Sequence, residues 1–414
     1  MLEKIVLIGA GSAMFTRGLV ADLIRRGEEV ALALTDIDPE ALKVAERLTA
    51  KMIQLRHSPI QLSASVDRRV ALKGATSVIC TIGVGGRRAW EQDVFIPRKH
   101  GIFQPVGDSV MPGGTSRALR MIPAMTAIAR DVLDLAPQAL FFNYGNPMGP
   151  VCRAVRKATG AHMIGLCHGV FQVANFLAGV LGTNPAALKY TAQGVNHLTW
   201  FTEIRIDGRN AMPQLLEIAT EKLGMPVSSG SLGARFLEDG SAGGPAEIAD
   251  ETPFAWQMLK CFGAFPAVLD RHITEFFPQF FANGSYFGKR LGVDAYSFEN
   301  TIAYGDKIHA AMREDAFSDK PLGEDFLAKI GGEHEQVIEI IESIRKDAGR
   351  IYSANLPNDG QIPNLPREAI VESPAVADGG GLRAIVQKPL PSAIAGTLAT
   401  RLLWQETTVD AALE

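Results

Sequence analysis

The chain has 414 residues, of which 47% are apolar and 21% charged, a composition typical of a globular protein with a large core. Its net charge of -4 comes from interspersed acids and bases without a basic stripe, which excludes the usual nucleic-acid partner. The four cysteines are too sparse for a disulfide framework, and no apolar run approaches the roughly eighteen residues of a membrane span, so we expect a cytoplasmic protein without a membrane partner.

Apolar runs of strand length alternate with helix-like segments over the first half of the chain. This alternation predicts crossover connections and a buried, doubly wound parallel sheet of the α/β class with helices on both faces. Ligands of such sheets bind at the carboxyl ends of the strands. The predicted strands are 4–9, 30–36, 77–83, 139–144 and 162–167, and the predicted helices are 14–26, 39–56, 115–135 and 170–181.

The pattern changes after residue 195, where longer helices and scattered strands follow. We therefore predict two domains, a nucleotide-binding domain over residues 1–195 and an α+β domain over residues 196–414. The second domain is expected to contribute to the substrate and metal site and to oligomerisation.

Three local features are predicted in the second half. A tract rich in Gly, Ser and Ala, 226–246, is typical of a mobile loop. Two apolar runs, 369–378 and 382–387, flank Gly379 to Gly381 and predict a hairpin. Residues 391–413 are predicted to form a closing helix.

The segment GAGSAMFTRG lies between the first predicted strand and the first predicted helix. Glycines at such a turn let backbone N–H groups approach a pyrophosphate at the helix N-terminus, and Gly9, Gly11 and Ser12 fit this role. Asp36 ends the second strand, where a carboxylate binds a ribose diol and repels a 2′-phosphate, which favours NAD+ over NADP+. The alternative is a tight turn with a solvated aspartate.

Two later strand ends also offer candidate ligand contacts. The segment GVGGRR begins at Gly83 and predicts a second cofactor-facing loop, in which Arg87 and Arg88 either bind a ligand or lie on the surface. The segment FFNYGNPMG provides the amides of Asn143 and Asn146 for the nicotinamide or for a ligand hydroxyl. Turn chemistry is the structural alternative for both asparagines.

A cysteine and a histidine form a candidate metal site. Cys167 ends the fifth strand and His197 follows a short apolar segment, so the two can converge at one cleft. One thiolate and one imidazole leave open positions suited to a Lewis acid, since a closed structural zinc site needs four protein ligands. The alternatives are a small apolar cysteine and an internally bonded histidine. Asp108, in the loop GDSVMPGG, is either a substrate clamp or part of a helix cap near Thr115.

The motifs together resemble a known family. GAGS, GDSVMPGG, NYGNPM, CHGV, GVNHLTWF, LDRHITEFFP and NLPNDGQIPNLP occur in the order found in glycoside hydrolase family 4, the NAD- and divalent-metal-dependent glycosidases. The resemblance runs from residue 4 to about residue 405. It implies a first domain of the lactate and malate dehydrogenase type, the cofactors NAD+ and Mn2+ (or another divalent metal), a small glycoside as substrate, and a homodimer or homotetramer.

The resemblance also implies roles for individual residues. The family's metal ligands fall on Cys167 and His197, and His168 is placed to orient the substrate. Members that hydrolyse 6-phosphoglycosides use a tyrosine base in the segment that corresponds to AVLDRHITEFFP, which contains no tyrosine here. Asp270 and His272 are the candidate replacements.

The family's reaction implies an unusual use of NAD+. The cofactor removes hydride from C3 of the sugar, the C2 proton becomes acidic, the aglycone leaves by elimination, and water addition and re-reduction complete the turnover. Gly169 and Asp108 are more similar to members that act on unphosphorylated α-glycosides, so neutral hexosides and hexuronides are the expected substrates. An arginine such as Arg87, Arg88 or Arg271 would pair with the carboxylate of a hexuronide.

Two other functions stay open at this point. A net dehydrogenase of the lactate or malate type has the same first domain, although it does not need a cysteine and histidine metal pair. A redox-sensing NAD-binding protein without catalytic activity is the third candidate.

Overall fold

The computed structural model describes residues 2–224, 252–330 and 336–414. Strands and helices alternate over the first half of the chain, as the sequence predicts. The strands are β1 (Glu3–Ile8), β2 (Val30–Thr35), β3 (Gln61–Ser65), β4 (Ser77–Cys80), β5 (Leu140–Asn143), β6 (Met163–Gly165), β7 (Leu188–Val195), β8 (Leu198–Ile206), β9 (Arg209–Asn210), β10 (Phe265–Pro266), β11 (Ser285–Tyr286), β12 (Lys289–Arg290), β13 (Arg350–Pro357), β14 (Ile370–Asp378) and β15 (Gly381–Ala384).

The helices of the first half mostly connect parallel strands, and those of the second half pack around the antiparallel strands. None of the helices in the described ranges has the length and apolar character that a membrane crossing needs. The helices are α1 (Thr16–Arg26), α2 (Pro39–Arg56), α3 (Arg68–Leu72), α4 (Gly86–Arg98), α5 (Met111–Leu135), α6 (Met148–Thr159), α7 (Gly169–Val180), α8 (Met212–Gly224), α9 (Pro253–Phe262), α10 (Asp270–Ile273), α11 (Phe298–Phe317), α12 (Phe326–Ile330), α13 (Val337–Arg345) and α14 (Ser392–Leu413).

Thirteen strands of the described residues form one sheet. Its parallel part has the order β3-β2-β1-β4-β5-β6, and antiparallel strands extend it in the order β13-β14-β7-β8-β10. Asn355 of β13 pairs with Gly165 of β6 and so joins the two parts. The predicted division at residue 195 stays a prediction, and the sheet continues across it.

Both faces of the parallel part are buried. Ile5 and Leu7 of β1 pack in one apolar cluster with residues of α1 and α2, whereas Val6 and Ile8 pack in a second cluster with residues of α5 and α6. Successive side chains of a strand point to opposite faces, so this division places helices on both sides of the sheet. The prediction of a doubly wound parallel sheet is confirmed.

The five predicted strands and four predicted helices of the first half are all present, with small shifts at their ends. The predicted start and end of α2 agree with the structure because Asp38 caps the helix, accepting hydrogen bonds from the backbone N–H groups of Glu40 and Ala41. By contrast, α5 begins at Met111 and not at residue 115. Gly113 and Gly114 lie inside its first turns because the preceding loop packs too closely for any Cβ atom.

The predicted hairpin is also confirmed, since β14 and β15 pair antiparallel with Asp378 opposite Gly381. The predicted closing helix corresponds to α14. The sequence analysis did not identify β3, α3, α4 or α6. The predicted loop 226–246 lies outside the described residues.

A fully buried asparagine organises the loop that follows β13. The amide nitrogen of Asn358 donates hydrogen bonds toward the carbonyl oxygens of Ile362, Leu365 and Pro366, and its amide oxygen accepts one from the N–H of Ile362. These side-chain bonds add to the backbone hydrogen bonds that Asn358 exchanges with Glu368 and Ala369 at the base of the loop.

Replacing this side chain tests that role. Asn358→Ala leaves buried backbone groups without partners, so we expect the free energy of unfolding to fall by about 2–4 kcal/mol. Urea denaturation measures the change. Asn300→Ala, at an exposed position of α11, is the matched control and should change it by under about 0.5 kcal/mol. An equal effect of the two substitutions contradicts the role given to Asn358.

Candidate functional site

One carboxylate and two imidazoles converge in the described structure. Potential ligand atoms of Asp108, His197 and His272 all lie within 4.8 Å of one another. Asp108 is in the loop before α5, His197 is in the turn between β7 and β8, and His272 is in α10. Oxygen and imidazole nitrogen together suit Mn2+ and related divalent cations. We call this group the three-residue cluster.

The hydrogen bonds of Ser109 define the protonation of the cluster. Its hydroxyl donates to Oδ1 of Asp108 over 2.6 Å and lies 2.7 Å from Nδ1 of His197. Because the single hydroxyl proton goes to Asp108, Nδ1 of His197 carries a proton and donates to the serine oxygen. Nε2 of His197 therefore keeps its lone pair for a ligand.

Burial keeps both imidazoles of the cluster neutral. Burial lowers the pKa of His197, an effect that the nearby Asp108 carboxylate opposes. The pKa of His272 is well below its usual value, chiefly because of burial and also because a proton on this ring would be unfavourable next to His197, Arg271 and His168. The rings of His197 and His272 are 4.3 Å apart between centroids. Neutral imidazoles are the form that binds a metal or accepts a proton.

Two asparagines next to the cluster have unpaired polar atoms. Asn146 donates from Nδ2 to Oδ2 of Asp108 over 3.0 Å, but its Oδ1 is buried and has no hydrogen-bond partner within the described ranges. The same holds for Nδ2 of Asn196, beside His197. A buried polar atom without a partner costs about 1–3 kcal/mol, so these atoms fit a site that is completed by a ligand.

The Cys-His pair directly precedes α7, with His168 at the N-cap position. Cys167 is half-buried, and its sulfur accepts a hydrogen bond from the backbone N–H of Gly169 over 3.5 Å. His168 lies within electrostatic range of His197 and His272. Cys167 is not part of the three-residue cluster, so its role as a metal ligand stays a prediction.

The structure gives Asp270 a position different from the one expected of a base. Its fully buried carboxylate accepts hydrogen bonds from the N–H groups of Phe254 and Ala255, in the first turn of α9, and from the hydroxyl of Tyr286. Burial raises the pKa of Asp270 to about 7. The side chain holds α9 in place, and of the two predicted bases only His272 belongs to the cluster.

The predicted arginines separate into two groups. Arg87 and Arg88 both pair with Asp306 of α11, at 2.6 Å and 2.5 Å, and so connect α4 to α11. Arg271 donates to the hydroxyl of Thr301, and its Nε is buried without a partner in the part of the chain that the structure describes. Arg271 is close enough to Asp108 to interact electrostatically, so the structure brings Arg271 to the cluster and ties the other two elsewhere.

The predicted nucleotide turn has the expected arrangement. Gly9 has a φ of 88°, and Oδ2 of Asp36 accepts a hydrogen bond from the N–H of Gly11 over 2.8 Å. The hydroxyl of Ser12 accepts from the N–H groups of Met14 and Phe15, ahead of α1. Asp36 thus lies beside the glycine turn, as binding of an adenosine ribose requires.

The other two predicted cofactor contacts, Asn143 and Gly83, lie in different surroundings from the glycine turn. Asn143 is fully buried, and its side chain closes a turn with Gly145. Its Nδ2 donates to the carbonyl oxygen of Gly145, and its Oδ1 accepts from the N–H of Gly145. This is the turn alternative, and it keeps the Asn143 side chain within its own loop. A Cβ atom on Gly83 would lie 3.4 Å from the guanidinium of Arg117, a residue that the sequence analysis missed. Arg117 donates to the carbonyl oxygen of Asn146 over 3.1 Å.

Comparison with known proteins identifies the family. The model described as family 4 glycosyl hydrolase matches residues 4–183, and that of the family 4 glycosyl hydrolase C-terminal domain matches residues 192–414. The chain belongs to glycosyl hydrolase family 4. It is therefore a glycosidase, as its motifs predict, and this favours hydrolysis over the dehydrogenase and redox-sensor alternatives.

Relatives of this family 4 protein have several sugar specificities. An alpha-galactosidase of Rhizobium meliloti is 30% identical over 99% of this chain and 80% of the relative. An alpha-glucosidase of Erwinia rhapontici is 31% identical over 99% of this chain and 90% of the relative. An alpha-galacturonidase of Bacillus subtilis is 30% identical over 99% of this chain and 89% of the relative.

Solved structures share the fold. The protein lplD from Bacillus subtilis has a TM-score of 0.82 at 28% identity and covers 100% of this chain and 92% of its own. A 6-phospho-alpha-glucosidase from gut microorganisms, in complex with NAD and Mn2+, has a TM-score of 0.83 at 20% identity, with coverage of 99% and 90%. A Cryptosporidium parvum malate dehydrogenase has a TM-score of 0.56 at 14% identity, with coverage of 100% and 99%, which confirms the predicted dehydrogenase-like fold.

A buried glutamate lies near the Cys-His pair. Glu372 of β14 is 2% exposed, and its Oε2 accepts a hydrogen bond from the hydroxyl of Thr199 over 2.6 Å. Its Oε1 has no hydrogen-bond partner among the described residues. Burial raises the pKa of Glu372 from 4.5 to about 7, an effect that the hydrogen bond from Thr199 and the nearby His168 oppose.

This raised pKa makes the stability of the protein depend on pH. As the pH rises from 4.5 through about 7, the unfolded chain loses the proton of Glu372 before the folded chain does, so this group stabilises the fold less at higher pH. Glu372→Gln removes that ionisation. We expect its stability relative to the parent protein to improve between about pH 5 and about pH 8 in thermal melts. The exposed control Glu217→Gln should show no such trend, and a constant difference for Glu372→Gln contradicts the assignment.

Proposed function

We propose that this family 4 protein is an NAD+- and divalent-metal-dependent α-glycosidase that acts on glycosides without a 6-phosphate. The observation that carries the proposal is the three-residue cluster of Asp108, His197 and His272 in a chain with a glycine turn and Asp36 at the strand ends of a dinucleotide fold. The relatives named as α-glycosidases and the neighbour that holds NAD and Mn2+ support it. The homodimer or homotetramer and the cytoplasmic location expected from the sequence belong to the same proposal.

The residues present fit both a divalent metal ion and NAD+. Asp108, Nε2 of His197 and His272 would hold the metal, with Cys167 as a further ligand, and the unpaired Oδ1 of Asn146 is left for a sugar hydroxyl. When bound, the cation supplies a Lewis acid for sugar oxygens, and NAD+ supplies a reversible hydride acceptor. Ser109 fixes the proton of His197 on Nδ1 and so points the free lone pair to the ligand.

Asp270, His272 and His168 were predicted as catalytic residues, and each has different contacts in the structure. The carboxylate of Asp270 is used to hold α9, and His272 is one of the converging donors of the cluster. His168 begins α7, within electrostatic range of both cluster imidazoles. We therefore assign to His168 the removal of the proton from the sugar carbon next to the oxidised one, a step that needs a neutral imidazole beside the sugar.

Arg271 favours a hexuronide over a neutral hexoside. Of the three arginines considered for a carboxylate, Arg87 and Arg88 are paired with Asp306, whereas Arg271 lies by Asp108 with its Nε unpaired in the described residues. A guanidinium binds a carboxylate through two parallel hydrogen bonds, and burial strengthens them. The C6 carboxylate of a uronide is the group that fits.

A nitrophenyl α-glycoside panel tests the main proposal. With NAD+, Mn2+ and a thiol reductant present, we expect release of nitrophenol without net accumulation of NADH. Stoichiometric NADH would instead indicate a dehydrogenase, and NAD binding without turnover a redox sensor. Cys167→Ser should weaken the response to Mn2+ by about 10–100-fold, whereas the exposed control Cys261→Ser should leave it unchanged. An unchanged response in Cys167→Ser rejects Cys167 as a ligand.

The same panel tests the sugar class. We expect α-glucuronides or α-galacturonides to be preferred over the neutral sugars, and Arg271→Lys to lower kcat/KM for uronides by about tenfold or more because the paired hydrogen bonds are lost. Neutral glycosides should be affected much less. Arg87→Lys is the matched control and should not change the preference. Equal losses on both sugar classes would remove Arg271 from carboxylate recognition.

A further inference from the structure

Glu275 binds the backbone of the loop that carries Asp108. This glutamate is 4% exposed and lies three residues after His272. Its Oε1 accepts hydrogen bonds from two successive N–H groups, those of Val106 at 2.6 Å and Gly107 at 2.8 Å. Successive backbone N–H groups that converge in this way form a concave anion-binding nest. Here a side chain of the same protein fills the nest.

The loop is built to close around this carboxylate. Gly107 has a φ of 63°, and a Cβ atom there would lie 2.6 Å from Val94, so the position requires glycine. Asp108 follows directly. The shape that places the two N–H groups on Glu275 therefore also fixes the direction in which the Asp108 side chain leaves the backbone.

Gln104 extends the connection to the start of α5. Its amide nitrogen donates to Oε2 of Glu275 over 3.2 Å and to the carbonyl oxygen of Val110 over 3.1 Å. Its amide oxygen accepts a hydrogen bond from the N–H of Gly113 over 3.2 Å. The two side chains thus tie the loop before and after Asp108.

The electrostatic cost of Glu275 indicates that it has a specific role. It is buried near the carboxylate of Asp108, and both effects raise its pKa to about 8. The guanidinium of Arg271 and three N–H donors offset part of that cost. An apolar side chain of similar size would fill the space without the cost but has no oxygen to accept the N–H groups of the loop.

We propose that Glu275 is a positioning residue that holds Asp108 at the correct distance from His272 for binding of a divalent cation. His272 lies in α10 and Glu275 in the 3-10 helix that follows it directly, whereas Asp108 comes from a loop about 160 residues earlier in the chain. The carboxylate is a direct hydrogen-bonded link between these two segments. This inference rests on the proposed metal dependence of the protein.

Titration calorimetry with Mn2+ alone, without NAD+ or substrate, tests the link apart from turnover. Glu275→Met keeps the side-chain volume and removes the acceptor, and we expect its dissociation constant for Mn2+ to rise by about 10–100-fold. Glu275→Gln keeps one oxygen for the nest and should stay within about threefold of the parent protein. Asp131→Asn removes the ion pairs with Arg68 and Arg69 at the far end of α5. It is the control, because it should lower the stability of the protein without changing its affinity for Mn2+.

The outcomes separate the two proposals. If the parent protein binds Mn2+ and Glu275→Met binds it equally well, the positioning role is wrong while the metal site stands. If the parent protein does not bind Mn2+, the proposed function and the positioning role both fail. Should Glu275→Met not fold, Gln104→Leu replaces it, with an expected loss of a few-fold, and unchanged affinity there overturns the inference.

Discussion

A carboxylate and two neutral imidazoles that converge in a largely buried site form the arrangement on which the rest of the site depends. Asp108 and His197 are buried and His272 is partly buried, and the carboxylate has no positive partner among the three. Neighbouring donors, from Ser109 and Asn146, satisfy part of this need. Arg271 is also close enough to interact electrostatically with Asp108, and a cation bound as proposed would add positive charge at the carboxylate itself.

Hydrogen bonds between segments that are distant in sequence hold the fold together around this site. Asp270 caps α9 from α10, Glu275 binds the loop before α5, and Glu372 bonds Thr199 of the neighbouring hairpin. All three carboxyl groups have raised pKa values because they are buried. Acidic side chains in this protein therefore act as connectors as well as candidate reaction partners, and their sequence positions alone do not distinguish these uses.

The sequence predicted features that depend on local chemistry. Hydrophobic alternation was enough for five of the six parallel strands, whereas β3, which has no buried side chain, was not identified. The predicted start of α2 agrees with the structure, in which Asp38 caps the helix. The glycine turn and Asp36 were identified because each lies at the end of a predicted strand, and the ends of neighbouring parallel strands meet at one edge of the sheet. The start of α5 was misplaced because its glycines were interpreted as a loop, whereas close packing against the preceding loop requires them within the helix.

Contacts between distant residues set the limit of sequence reasoning about the site. Asp270 was a reasonable base by its position in the motif, but the N–H groups that bind it belong to a helix earlier in the chain. Arg87 pairs with a residue more than two hundred positions away. The family resemblance supplied Cys167 and His197, whereas Asp108 and His272 joined His197 as potential ligands only once the three segments were placed in space.

The pairing of β13 with β6 has a mechanical consequence. Hydrogen bonds continue from the strands that carry the glycine turn to the strands that flank His197, so both ends of the cleft are part of one framework. Bending between the two halves would have to break strand pairing. NAD+ that accepts a hydride and returns it within the same cycle would benefit from such stiffness, because the strands on both sides of the site keep their relative positions between the two transfers.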